Sequence, residues 1–134
     1  MKIAEITHTK ITLDSHNEKL YNNTHMTEQN NVKPVVYLDM DGVIADFNKR
    51  YKELYKIEPK EADTYKTFDK FFTMFIAERQ FATLNLMPDA IELINYLRSL
   101  KVPTEILSST SSEKRDAEIR EQKIEWLNNQ NIEF

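Results

Sequence analysis

The sequence predicts an α/β fold, a parallel sheet with helices packed on it. Three observations predict it. Val35-Val36-Tyr37-Leu38 is a β-branched and aromatic run of strand type; a second short extended run stands at residues 104–107; and residues at helical spacing follow each of them. Strands alternating with helices pair in parallel, because the crossover helix returns the chain to the starting edge.

Residues 1–33 are polar and poor in large apolar side chains. The stretch KIAEITHTKITL alternates enough for a short strand, but Asn22-Asn23 and Asn30-Asn31 read as loop, so this segment is expected to be an appended arm, loosely ordered or docking elsewhere. Its histidines, His8, His16 and His25, fit no usual metal-ligand spacing. Pro34 then opens the first strand, whose continuous apolar character predicts burial on both faces. Helical spacing takes over at Phe47, Tyr51, Leu54 and Tyr55 behind a candidate cap at Asp46. Pro59 interrupts it, and Phe68, Phe71, Phe72 and Phe75 resume it, which predicts a small helical unit.

Pro88 starts an amphipathic helix with Ala90, Leu93, Ile94, Leu97 and Leu100 as its buried stripe and Lys101 at its negative end. Pro103 bars its continuation. A polar helix is expected from Glu113 to Asn129, anchored by Trp126 and Leu127. Ile132-Glu133-Phe134 falls where a further strand would be due.

Composition narrows the function. The net charge of −4, with no local cluster of Lys and Arg, argues against a broad nucleic-acid footprint. With no cysteine, disulfides and thiolate metal sites are excluded. No apolar run approaches the roughly 20 residues that span a bilayer, and MKIAEITHTK lacks the apolar stretch of a signal peptide, so a cytoplasmic protein without membrane contact is expected. Asn22-Asn23-Thr24 matches a glycosylation sequon that carries no weight without a secretion signal.

Gly42 is the chain's single glycine. Asparagine, tolerant of the left-handed backbone region, is expected to replace glycine at helix ends. A glycine retained beside two carboxylates, in YLDMDGVI, is therefore informative: a tight turn there lets the backbone approach a small anion or metal. Asp39 and Asp41, two apart, would point the same way from the strand's carboxyl end, where ligands bind in open α/β sheets. Two adjacent carboxylates repel, so a proton or a cation must relieve them, and magnesium is the natural oxygen-seeking guest. A strand-ending turn with exposed acids is the other reading of this pattern. An EF-hand is excluded, because the glycine comes too early and follows an apolar strand.

VVYLDMDGVIADF resembles the first motif of the haloacid dehalogenase-like hydrolase superfamily, D-x-D-G-[VT] after an apolar strand. ILSST resembles its second motif, and KIEWL its lysine-bearing third motif in the form of the 5′-nucleotidase and deoxyribonucleotidase branch. RQFATLNLMPDAIELINYL is similar to that branch's segment between cap and core. The resemblance covers residues 34–134. It implies a Rossmann-like core, incomplete in this chain, from 34–46 and 87–134, with a helical cap at 47–86 inserted after the first strand.

The resemblance also implies a magnesium-dependent phosphomonoesterase, acting on nucleoside monophosphates in keeping with that branch. Asp39 would attack phosphorus to form an aspartyl-phosphate. Asp41 would protonate the leaving oxygen, activate water and ligate magnesium through its carbonyl, with Asp39 as the other metal ligand. Ser108, with Ser109, would hydrogen-bond the phosphoryl oxygens, and Lys123 would offset charge near Asp39. Gly42, Phe47 and Phe81 are the candidate substrate contacts, the rings sandwiching a base. Plainer readings stand beside these: Ser108 a turn residue, Lys123 a solvated helix charge, the aromatic stripe simply core, Arg79 a surface ion pair rather than a phosphate or sugar ligand.

The family's fourth motif, an acidic strand end completing the magnesium site, would lie beyond Phe134. The expectation is a fragment, a shortened form that has lost catalysis, or a chain whose open sheet edge is covered by the arm, a second copy or a partner. The functional alternative is therefore a catalytically impaired binding or structural component. A phosphotransferase or dehalogenase of the same superfamily is the remaining one.

Overall fold

The computed structural model describes residues 34–110 and 113–133. The expected N-terminal arm and its three histidines lie outside the described residues. The elements run β1 (Val36–Asp39), α1 (Phe47–Tyr55), α2 (Pro59–Thr64), α3 (Phe68–Ala77), a 3-10 turn (Gln80–Thr83), α4 (Ala90–Ser99), β2 (Thr104–Leu107) and α5 (Asp116–Asn129).

The two strands pair in parallel, with Val36 opposite Thr104 and Asp39 opposite Leu107. The expected mixed α/β architecture is therefore present, as a small two-stranded parallel sheet and five helices. Burial of β1 on both faces is not. Leu38 is buried, but Val35 and Tyr37 are 38% and 42% exposed. Leu38 and Ile106 point into the core, while Tyr37 and its register partner Glu105 face outward. An apolar run dictates burial on both faces only when elements cover both, and here nothing among the described residues covers the second.

The chain leaves β1 through a turn wound on one carbonyl: Met40 O accepts from the N–H groups of Val43, Ile44 and Ala45. Asp46 caps α1 as expected, accepting from Lys49 N at 3.2 Å. The return from the helical insertion is stitched to the same turn, Asp46 N donating to Asn85 O and Met87 N to Ile44 O, both at 2.8 Å. One continuous apolar core then joins strands, insertion and α5 through Leu38, Ile44, Tyr51, Phe75, Phe81, Ile106 and Trp126. Trp126 is fully buried and donates from Nε1 to Leu84 O at 2.7 Å.

Three local expectations are corrected. Leu100 does not complete the α4 stripe; it is 44% exposed, because the helix has already ended at Ser99. Helix α5 begins at Asp116 rather than Glu113, and Ile119 joins Trp126 and Leu127 as an apolar anchor. Left-handed backbone at segment ends falls mostly to basic residues, Lys56, Lys66, Arg79 and Lys101, with Asn131 as the asparagine case. Long side chains leave such a turn for solvent, so the backbone strain is the same as for most residues and no side-chain packing is lost. No helix among the described residues is long and apolar enough to cross a membrane.

Candidate active site

The candidate residues converge where both strands end. Lys123, on the inward face of α5, is 1% exposed. Its Nζ donates to Asp41 Oδ2 at 2.6 Å, to Ser108 Oγ at 2.8 Å and to the Ser109 carbonyl at 2.7 Å. It also lies 4.9 Å from the centre of the Phe81 ring. A solvated helix charge is thus ruled out for Lys123. A buried ammonium demands three acceptors, and the carboxyl end of β2 supplies two of them.

Asp41 and Asp39 are not equivalent. Asp39 ends β1 exposed, its Oδ1 accepting from Met40 N at 2.7 Å, and no ion pair reaches it among the described residues. Asp41 sits one step into the turn. Its Oδ2 takes Lys123, whereas its Oδ1 is buried with no hydrogen-bond partner. Burial raises the Asp41 pKa above its ordinary value, Lys123 pulls it back by charge and hydrogen bond, and the neighbouring Asp39 charge adds to the rise. The lysine expected beside Asp39 therefore takes Asp41 as its carboxylate partner.

Gly42 has φ +76°, a backbone that L side chains adopt only with strain, and its N–H is used by Ala45 O at 2.8 Å. A Cβ built there meets nothing within 4 Å. The glycine answers to conformation rather than to crowding.

Phe47 and Phe81 stack at 5.7 Å and line a cavity of about 170 Å³ together with Asp41, Phe68, Phe72, Ser109, Thr110 and Lys123. Arg79 is remote from it in function: it pairs with Glu121 and Glu125 on the exposed side of α5. Sequence reasoning passed over Thr110, Phe68 and Phe72 as lining residues. For Thr110 the available signal was its position two beyond Ser108 in the same strand-end run; for the rings it was the four-residue spacing that puts Phe68 and Phe72 on one face of α3.

Among the described residues no group of three or more His, Cys, Asp or Glu converges as a metal site. Magnesium keeps several water ligands and takes one or two protein carboxylates, so the residues that could hold it are Asp39 through its exposed carboxylate and Asp41 through its backbone carbonyl, which leaves the buried, partnerless Asp41 Oδ1 for a proton. No protein-family model, curated protein or solved structure matches this chain.

Proposed function

We propose that this chain is a magnesium-dependent phosphomonoesterase acting on nucleoside monophosphates, in the manner of the haloacid dehalogenase-like hydrolases it resembles. On this reading the sheet is an incomplete Rossmann-like core and the 47–86 insertion is its cap. The observation that carries the reading is the buried Lys123 ammonium, held by Asp41, Ser108 and Ser109 at the strand ends and open to an aromatic-walled cavity.

An exposed Asp39 carboxylate oxygen attacks the phosphorus; the new P–O bond forms as the bond to the ester oxygen breaks. The leaving oxygen takes its proton from Asp41, whose raised pKa suits a carboxyl that must hold one. Water then gives a proton back to Asp41 and attacks the aspartyl-phosphate, releasing inorganic phosphate and restoring Asp39. Ser108 Oγ accepts from Lys123, so its own hydrogen remains to donate to a phosphoryl oxygen. Lys123 offsets the negative charge that builds on the transferring group. Magnesium, held by the Asp39 carboxylate and the Asp41 backbone carbonyl, would screen the phosphate from the attacking carboxylate.

The test is phosphate release from a panel of nucleoside monophosphates at millimolar magnesium, with Asp39→Asn as the control. Release that the substitution abolishes is the expected result; no release from any nucleotide sinks the proposal. A second reading, a binding or structural component, draws on the open sheet face at Val35 and Tyr37. It predicts stable association on size-exclusion chromatography with mass detection, unchanged by Asp39→Asn.

A further inference from the structure

We propose that Thr110 and Asp116 are a positioning pair: Asp116 holds Thr110, and Thr110 fixes the 108–110 turn whose oxygens hold the Lys123 ammonium. Thr110 is 8% exposed, lines the cavity, and donates from Oγ1 to Asp116 Oδ1 at 2.6 Å. The other carboxylate oxygen takes Arg120 Nη2 at 3.0 Å, which fixes the orientation of Asp116. Asp116 and Lys123 both belong to α5 and stand about two turns apart, hence on one face of the helix. The same helix therefore grips the turn at both ends, Asp116 at Thr110 and Lys123 at Ser108 and Ser109.

The hydrogen-bond inventory separates this role from a catalytic one. A hydroxyl has one hydrogen, and that of Thr110 goes to Asp116, so Thr110 has nothing left to donate to a phosphoryl oxygen. Ser108 keeps that capacity; Thr110 does not. The value of the pair lies in the lysine. A long side chain surrenders its rotamer freedom when held, and only acceptors that are themselves immobile hold it in one place.

The proposal rests on the phosphatase reading only in its kinetic arm, so the deciding measurement is made without substrate. In the full chain labelled with 15N-lysine, a buried ammonium with three acceptors exchanges slowly with water and gives an Nζ–H cross-peak for Lys123. That peak is expected in the native chain and in Thr110→Ser, which keeps the hydroxyl. It is expected to vanish by exchange broadening in Thr110→Val and Asp116→Ala, with the remaining amide spectrum dispersed. An unchanged peak in both disruptive variants overturns the pair, and so does its loss in Thr110→Ser. Should a disruptive variant fail to fold, the native chain decides: a slowly exchanging Thr110 hydroxyl proton is expected, and its absence overturns the pair. In the kinetic arm, Thr110→Val lowers kcat about 10-fold to 100-fold with KM held, and Thr110→Ser restores it. A native chain that shows the cross-peak and releases no phosphate sinks the functional reading and leaves the pair standing.

Discussion

Asp41, Ser109 and Lys123 reach the floor of the cavity from three separated segments, with Ser108 joined to them by its hydrogen bond from Lys123, the Asp41–Lys123 contact spanning 82 positions. Phe47, Phe68, Phe72 and Phe81 reach its wall from a single helical insertion, in contact with one another at 5.2 to 6.4 Å. The floor is a set of directional bonds, each fixed by a partner's geometry. The wall is a volume filled by rings, in edge and stacked pairs that tolerate small shifts. The floor should therefore fail by charge and the wall by volume, and their responses to substitution should differ in kind.

The largest separation is expected from Asp39→Asn. On the proposed phosphatase reading it should cost turnover at least about 10³-fold while leaving the denaturation midpoint unchanged, because Asp39 is exposed and makes no ion pair among the described residues. A shift in midpoint would show Asp39 to be structural. Next, Phe81→Ala should destabilise by about 3–5 kcal/mol and Phe81→Leu by about 1 kcal/mol, since Leu restores most of the volume and forfeits only the ring contacts and the cation above it. If Leu and Ala cost alike, the wall acts by ring geometry rather than by filling space.

For the floor, Lys123→Met should cost about 3 kcal/mol, at the lower end for breaking a buried pair, because Asp41 keeps 32% of its side chain exposed and meets water there. Urea denaturation of both series decides whether floor and wall separate. The floor should also carry a pH signature. The folded-state pKa of Asp41 lies above 3.8, so the folded state keeps this proton after the unfolded chain has released it. Its contribution to stability is then full below 3.8 and is lost as pH rises through the folded-state value. Measured without divalent cation, native stability should fall relative to Asp41→Asn across that window. Lys123→Met should widen the window upward, since the lysine's lowering effect is gone. The smallest effect expected is a gain: Lys101→Gly should add about 0.5 kcal/mol by relieving a left-handed residue at a helix end, with no change at floor or wall.

The unequal legibility of these regions has the same origin. The stripe from which the wall is built was readable, though not which of its rings face the cavity, because residues spaced three and four apart on a helix share a face, so Phe68, Phe71, Phe72 and Phe75 announce a stripe locally. The strands were readable as β-branched runs, and the Thr104–Leu107 expectation coincides with β2. Tyr37 misled because residue type carries hydrophobicity but not whether a second layer exists to cover it. By residue type Lys123 is one basic residue among the many charges of a polar helix, and in the sequence only the KIEWL resemblance singled it out. Its burial and its partners Asp41, Ser108 and Ser109 are visible only once the chain has packed. Thr110 and Asp116 were invisible for that reason too, each ordinary in type and meaningful only as a bonded pair.

By itself, then, the sequence determined the alternation of strand and helix, the parallel pairing that follows from it, the aromatic stripe, and a glycine at the turn after β1. These depend on backbone sterics and short-range periodicity, which are written in neighbouring residues. Tertiary structure alone decided which carboxylate Lys123 neutralises, which sheet face stays open, and which oxygen of Asp41 is left without a partner. Those outcomes depend on where water is excluded, and water is excluded only once distant segments have packed.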